Sequence, residues 1–192
     1  MNRLRQYINQ VSLLSEPAWQ AVAALFTVQS LAKNEYLAEA GWVETTAAYV
    51  AEGALRAFYR TEKGTEYNKT FFTADDFIGA FSSLVTGQPN QIYIQALTPC
   101  SLFVVDYPSL TGLYDVYPDC ERFARRLAEG YFVYKEQREL ELVLRNADER
   151  YLQFRQEYPG LEQLIPQYHV ASYLGITPTQ LSRIRAKMAS KL

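Results

Sequence analysis

The sequence predicts an α+β chain: two short helices, an antiparallel sandwich or rolled sheet, one long helix and a C-terminal all-α helix-turn-helix. Three observations carry this. Short runs rich in Tyr, Phe, Val, Ile and Thr, separated by Gly or Asn/Asp turn signals, fill residues 30 to 107. After Pro118 the texture turns helical and meets no proline until Pro159. Finally HVASYLGITPTQLSRIRAK, residues 169 to 187, divides into two short helices about a bend.

Taken in order, Leu4, Tyr7, Ile8 and Val11 share one face of a first helix, and EPAWQAVAALF follows Ser15 as the cap of a second. KNEYLAEAG, stopped by Gly41, precedes the runs AAYVAEGALRAFYR, TEYNKTFFTADDFIGAF, QIYIQAL and SLFVVDY, with EKG at 62 to 64 as a hairpin turn between the first two. Phe123, Leu127, Tyr131 and Tyr134 then form a helical stripe, and Leu140, Leu144, Ala147, Tyr151, Phe154 and Tyr158 a second one. A continuous helix over 119–145 is ~40 Å long, more than one small domain needs, and such length serves a partner helix. The pattern is too irregular for a sustained heptad, so the expectation is a short symmetric pairing of two protomers. Asn146 or Asp148 caps a separate helix running to about Tyr158, which places a hinge near Arg145 to Asp148.

In the last stretch Val170 and Leu174 pack one helix, Gly175 supplies a positive φ at the bend, and Thr177 caps a second helix whose first residue is Pro178. Leu181 and Ile184 face inward, and Ala171 is small enough for close approach. The outward face carries Thr179, Gln180, Ser182, Arg183 and Lys187, with Arg185 at its flank, donors suited to base edges and phosphate oxygens. Net charge is −2, yet residues 163–192 hold four basic residues and no acidic one, while the rest of the chain carries −6. A basic module on an acidic body is a localised footprint for nucleic acid.

Other classes are disfavoured. Hydrophobic residues make up 48% and charged ones 21%, a folded chain rather than a disordered one. No apolar run approaches the ~20 residues needed to span a bilayer, and MNRLRQYINQ lacks the apolar centre of a secretory signal, so a cytoplasmic protein without membrane contact is expected. Cys100 and Cys120 are too few and too far apart for a metal or iron–sulfur spacing and read as small packed residues. Catalysis in a cupin-like barrel needs two or three His converging with a carboxylate. His169 is the only histidine and reads as a polar surface or helix-packing residue, while Glu52, Glu66, Asp75, Asp76 and Asp106 read as turn and strand-end carboxylates. No enzyme, metal or cofactor is expected.

YVAEGALRAFY with Gly53, DDFIGAF with Gly79, and GQPNQIYIQA with Gly87, in this order before a long helix and a terminal helix-turn-helix, resemble the Crp/Fnr family of bacterial transcription regulators. The resemblance implies an antiparallel β-roll, a jelly-roll-like double-stranded β-helix, as a cyclic nucleotide-binding-like sensor domain over 1–116. It also implies a dimerisation helix over 117–146 and a DNA-binding domain over 147–192. The partners implied are a second copy, a near-palindromic duplex and RNA polymerase, with the effector left open. Cyclic-nucleotide sensors of this family use a Glu for the ribose and an Arg followed by a small hydroxyl residue for the phosphate. The matching positions are Ala80, Asn90 and Gln91, so with Gly79, Tyr131 and Tyr134 they form a degenerate ligand pocket, and no tight cyclic AMP binding is expected.

On the DNA side the family's contact surface corresponds to Thr177, Pro178, Thr179 and Arg183, with Arg183 the expected guanine reader beside Thr179 and Ser182. Thr177, Gln180, Arg185 and Lys187 complete the DNA-binding set. The family adds a β-hairpin wing after the recognition helix; none follows here before Leu192, so affinity is expected to rest on Arg183, Arg185, Lys187 and dimer avidity. The competing readings are an effector- or protein-binding roll whose helix-turn-helix has decayed, and, more remotely, a cupin-like enzyme.

Overall fold

A computed structural model describes residues 1–189; Lys191, counted in the basic tail, lies outside the described residues. The chain opens on α1 (Asn2–Val11) and α2 (Glu16–Leu25). Leu4 and Ile8 of α1 and Trp19 and Val22 of α2 are buried, as their helical spacing requires. Ser15 stands at the start of α2, but its side chain caps nothing; its backbone N–H instead donates to Asp119 Oδ2 at 2.6 Å.

The strands are β1 (Thr27–Leu31), β2 (Tyr36–Ala38), β3 (Thr46–Glu52), β4 (Leu55–Arg60), β5 (Glu66–Phe72), β6 (Phe77–Gly79), β7 (Tyr93–Ala96) and β8 (Cys100–Asp106), with helix α3 (Phe81–Thr86) between β6 and β7. They form two four-stranded antiparallel sheets, ordered β1-β8-β3-β6 and β2-β7-β4-β5. The run AAYVAEGALRAFYR, continuous in the sequence, is therefore two strands in opposite sheets. Gly53 makes the corner at φ +98°, where a Cβ would sit 2.5 Å from the carbonyl oxygen of Pro99 and 2.6 Å from Cys100 Sγ. Only glycine fits both constraints. The next run divides in the same way into β5 and β6, at a turn where the Thr73 N–H donates to Asp76 Oδ2 at 2.7 Å. The 61–65 hairpin turn joins β4 to β5 as read, with the Thr61 N–H on the Thr65 carbonyl at 2.9 Å.

Apolar and mostly small side chains fill the space between the sheets, among them Ala48, Val50, Leu55, Ile94, Ala96 and Leu102. Cys100 and Cys120 are free, buried thiols whose pKa values burial pushes up, to about 11 for Cys120. They are packed, not reactive, groups.

After α4 (Tyr107–Thr111), α5 runs 27 residues, Pro118–Leu144. Phe123 and Leu127 pack against α1, α2 and Tyr49. The second predicted stripe does not survive: Leu140 and Leu144 are 58% and 73% exposed, whereas Tyr151, Phe154 and Tyr158 are buried. The cause is the break between them. Arg145 is extended, and Asn146 opens α6 (Ala147–Glu157) with a reciprocal capping box to Glu149, which turns α6 back onto the roll.

Three helices follow, α7 (Leu161–Leu164), α8 (Gln167–Leu174) and α9 (Pro178–Ala189). Their core, with Phe154, Val170, Leu174, Leu181 and Ile184, is continuous with Ala54, Phe71 and Leu97 of the roll. Among the described residues no helix is long and apolar enough to cross a membrane.

Candidate nucleic-acid interface

The bend between α8 and α9 is built by local backbone chemistry. Gly175 sits at φ +67°, its N–H bonds the Ser172 carbonyl at 3.2 Å, and the Ile176 N–H reaches the Ala171 carbonyl at 3.1 Å. This is a Schellman end. Arg150 Nε donates to the Leu174 carbonyl at 3.1 Å, and the Arg138 guanidinium, stacked 3.9 Å over the Tyr173 ring, donates to the Tyr173 carbonyl. Both satisfy carbonyls that the end of α8 leaves open. At α9 the Thr177 N–H donates to Gln180 Oε1 at 2.9 Å, and the Gln180 N–H donates to Thr177 Oγ1 at 3.2 Å. Thr177 and Gln180 thus form a capping box, a role the sequence reading gave to Thr177 alone.

Leu181 and Ile184 anchor the inner face of α9, which leaves Thr179, Ser182 and Arg183 outward and exposed. Arg183 makes no ion pair among the described residues. Arg185 and Lys187 are not free in the same way: Arg185 Nε lies 3.6 Å from Glu162 Oε2, and Lys187 Nζ lies 2.5 Å from Asp148 Oδ2.

What holds this module in place is a buried polar cluster that sequence reasoning missed. Arg56 lies on β4 with its guanidinium 3.7 Å above the Phe58 ring. It donates to Gln95 Oε1 (2.9 and 2.7 Å) and Asn68 Oδ1 (3.2 Å), and it pairs with Glu66 Oε2 at 2.7 Å. Its Nη1 also meets His169 Nδ1 at 3.1 Å. Asn68 Nδ2 donates to the His169 carbonyl at 2.9 Å. Ser172 Oγ accepts the Asn68 N–H at 2.9 Å and donates to the Glu66 carbonyl at 3.2 Å, closing the free edge of β5. His169 is accordingly no surface residue; it is 4% exposed and wedged between α8 and the roll. Burial first, and then the Arg56 charge, lower its pKa to about 4 against the opposing pull of Glu66. Because arginine only donates, Nδ1 is the acceptor and the ring is the neutral Nε2–H tautomer. The available signal was a polar residue flanked on both sides by apolar ones, in Leu55-Arg56-Ala57 and Ile94-Gln95-Ala96.

The six positions that the sequence resemblance read as a degenerate ligand pocket are distributed as follows. Ala80 is buried, Gln91 is exposed, and a Cβ on Gly79 would approach Leu84 Cδ1 to 2.8 Å. Asn90 is buried, but its carboxamide is taken up by backbone: Nδ2 donates to the Glu39 carbonyl at 3.2 Å and to that of Ile92, and Oδ1 accepts the Ile92 N–H at 2.9 Å. Tyr131 donates to the Phe77 carbonyl at 2.6 Å, and the Tyr134 hydroxyl lies 3.1 Å from that of Tyr158 and 3.3 Å from Thr70 Oγ1. Burial pushes both phenols up, so they stay neutral. None of the six brings a cation. Among the described residues no group of three or more His, Cys, Asp or Glu is placed to hold a metal ion.

On the solvent side of α5, Phe132, Val133, Leu140, Val143 and Leu144 are all at least half exposed. At 100° per residue Phe132, Leu140 and Val143 lie on the far side from Phe123, Leu127, Tyr131 and Tyr134, with Val133 and Leu144 at the flank.

Comparison with known proteins agrees with this arrangement. Residues 28–117 match the cyclic nucleotide-binding domain family. The cAMP-activated global transcriptional regulator CRP of Pasteurella multocida is 29% identical over 96 residues, 47% of this chain and 46% of that protein, so the matched part spans under half the length of this curated relative. FixK2 from Bradyrhizobium japonicum shares the fold with a TM-score of 0.75 at 19% identity, over 86% of this chain and 85% of that one. A protein from Eubacterium rectale assigned as a transcriptional regulator of the Crp/Fnr family gives 0.72 at 15% identity, over 93% and 85%. At such identities the structural likeness is one of fold. Residues 28–117 are thus similar to a cyclic nucleotide-binding domain, and the order of roll, long helix and terminal helices gives the chain the fold of Crp/Fnr-family regulators, which it resembles.

Proposed function

We propose that this chain is a DNA-binding transcription regulator that acts as a homodimer and places two copies of α9 in successive major grooves of a near-palindromic site. The observation that carries the reading is the exposed row Thr179, Ser182 and Arg183 on a helix whose other face is locked into a core shared with the roll. A rigidly held donor row is what base readout needs. The apolar stripe on α5 supports pairing, since an uncovered face of that length on a helix already packed on its other side suits a second copy. The roll is the sensor, without affinity for cyclic AMP, because Ala80, Asn90 and Gln91 offer nothing to offset the burial of a phosphodiester. RNA polymerase would be met at the promoter, and the effector is open.

The test is anisotropy on a site selected from random duplexes. Arg183→Ala should weaken that site by ~1–3 kcal/mol and relax specificity at one base position in each half-site. A chain that selects no site and ignores duplex DNA at low salt would instead be the effector- or protein-binding module with a decayed helix pair.

A further inference from the structure

Of the three cations on α9, two are held by carboxylates from elsewhere in the terminal helices. Glu162 on α7 is the more firmly placed. Its side chain is 12% exposed, the Tyr151 hydroxyl donates to its Oε2 at 2.7 Å, and it faces Arg185 at 3.6 Å and Arg155 at 3.4 Å. Asp148, in the first turn of α6, holds Lys187 at 2.5 Å. Arg183, two residues before Arg185 and turned outward, has neither kind of partner among the described residues.

A cation already facing a fixed carboxylate gains little from a phosphate, because the phosphate must approach that carboxylate too. Sequence-independent affinity for duplex DNA is almost entirely such phosphate contact, and it grows with the number of phosphates neutralised. A base-reading contact depends instead on donor geometry. We infer that Glu162 and Asp148 set the DNA specificity of this protein: acting through Arg185 and Lys187, they suppress sequence-independent phosphate contacts and leave Arg183 as the uncompensated cation of α9. They are positioning residues, and the inference rests on the DNA-binding reading above.

The experiment titrates the full chain against a scrambled 30-base-pair duplex and the selected site over a salt series. Glu162→Gln and Asp148→Asn should each strengthen scrambled-duplex binding by roughly 3- to 10-fold at 50 mM salt and steepen the log–log salt slope by about 0.9. The ratio of specific to scrambled affinity should fall. Arg185→Ala placed in the Glu162→Gln background should return the slope to that of the unaltered protein, which a merely structural role of Glu162 would not do. Glu39→Gln, an equal charge change on an exposed site of the roll, should leave the slope unchanged, and thermal melting checks that each variant is folded. If the unaltered protein binds and the two variants keep its slope, the inference fails while the DNA reading stands. If the unaltered protein and the Glu162→Gln/Asp148→Asn double variant both ignore duplex at the lowest salt, the DNA reading fails and takes this inference with it.

Discussion

Arg56 Nη1 lies 3.1 Å from His169 Nδ1, so a residue of the helix-turn-helix and a residue of the roll share one buried hydrogen bond. Around it, Glu66, Asn68 and Gln95 satisfy the rest of the guanidinium. The terminal helices are thus fixed to the roll by a polar latch as well as by the apolar core that includes Phe71 and Leu174. A buried polar cluster becomes costly once one partner is removed and another is left unsatisfied, which makes each member consequential.

The latch predicts a pH signature. His169 has a folded pKa of about 4 against 6.5 in the unfolded chain, so between these values the unfolded state binds the extra proton and stability falls as pH falls. Over that window the imidazole accounts for a loss of roughly 3 kcal/mol. Arg56 and Glu66 are the charged groups facing it, and the Tyr168 ring lies 4.1 Å away. Asp76, raised to about 6 by burial, titrates across the same range with the opposite sign, which flattens the net profile. Urea unfolding of the unaltered protein and of His169→Gln at pH 4.5, 5.5 and 6.5 isolates the imidazole; identical slopes for both would refute the assignment.

Gly53 and Gly175 both have positive φ but differ in surroundings. Nothing lies within 4 Å of a Cβ built on Gly175, whereas at Gly53 the Pro99 carbonyl and Cys100 Sγ stand at 2.5 and 2.6 Å. Gly175→Ala should cost about 1 kcal/mol from the left-handed conformation alone, and Gly53→Ala about 3 kcal/mol or more, since the sheet corner must also move. Equal shifts in the urea midpoint would contradict this.

Val143 is 81% exposed on the outer stripe of α5. In a homodimer paired along that face, Val143→Glu should convert the protein to monomer in sedimentation equilibrium and reduce binding to a two-half-site duplex by at least ~100-fold through lost avidity. A monomer fold unchanged by circular dichroism completes the expected result.

Cyclic AMP should give no saturable heat in titration calorimetry up to millimolar ligand, because the roll positions that would meet its phosphate are Asn90, tied to backbone, and Gln91, in solvent. Micromolar affinity would overturn that reading of the pocket.

The sequence by itself determined the features that are local. The cap at Thr177, Pro178 at the first position of α9, the left-handed Gly175 and the helical spacing that puts Leu181 and Ile184 on one face depend on neighbours within five residues, and so does the break after the long helix, whose cap the sequence narrowed to Asn146 or Asp148. Only the tertiary structure decided the rest. Strand pairing is non-local, so AAYVAEGALRAFYR could not announce that its halves belong to different sheets. His169 is buried because α8 docks on β5, more than ninety residues earlier in the chain, and Leu140 and Leu144 are exposed because the break at Arg145 separates them from the core that takes Tyr151 and Phe154. Arg185 and Lys187 look alike to Arg183 in the sequence; only the placement of Glu162 and Asp148 beside them distinguishes these paired cations from Arg183, which has no ion pair among the described residues.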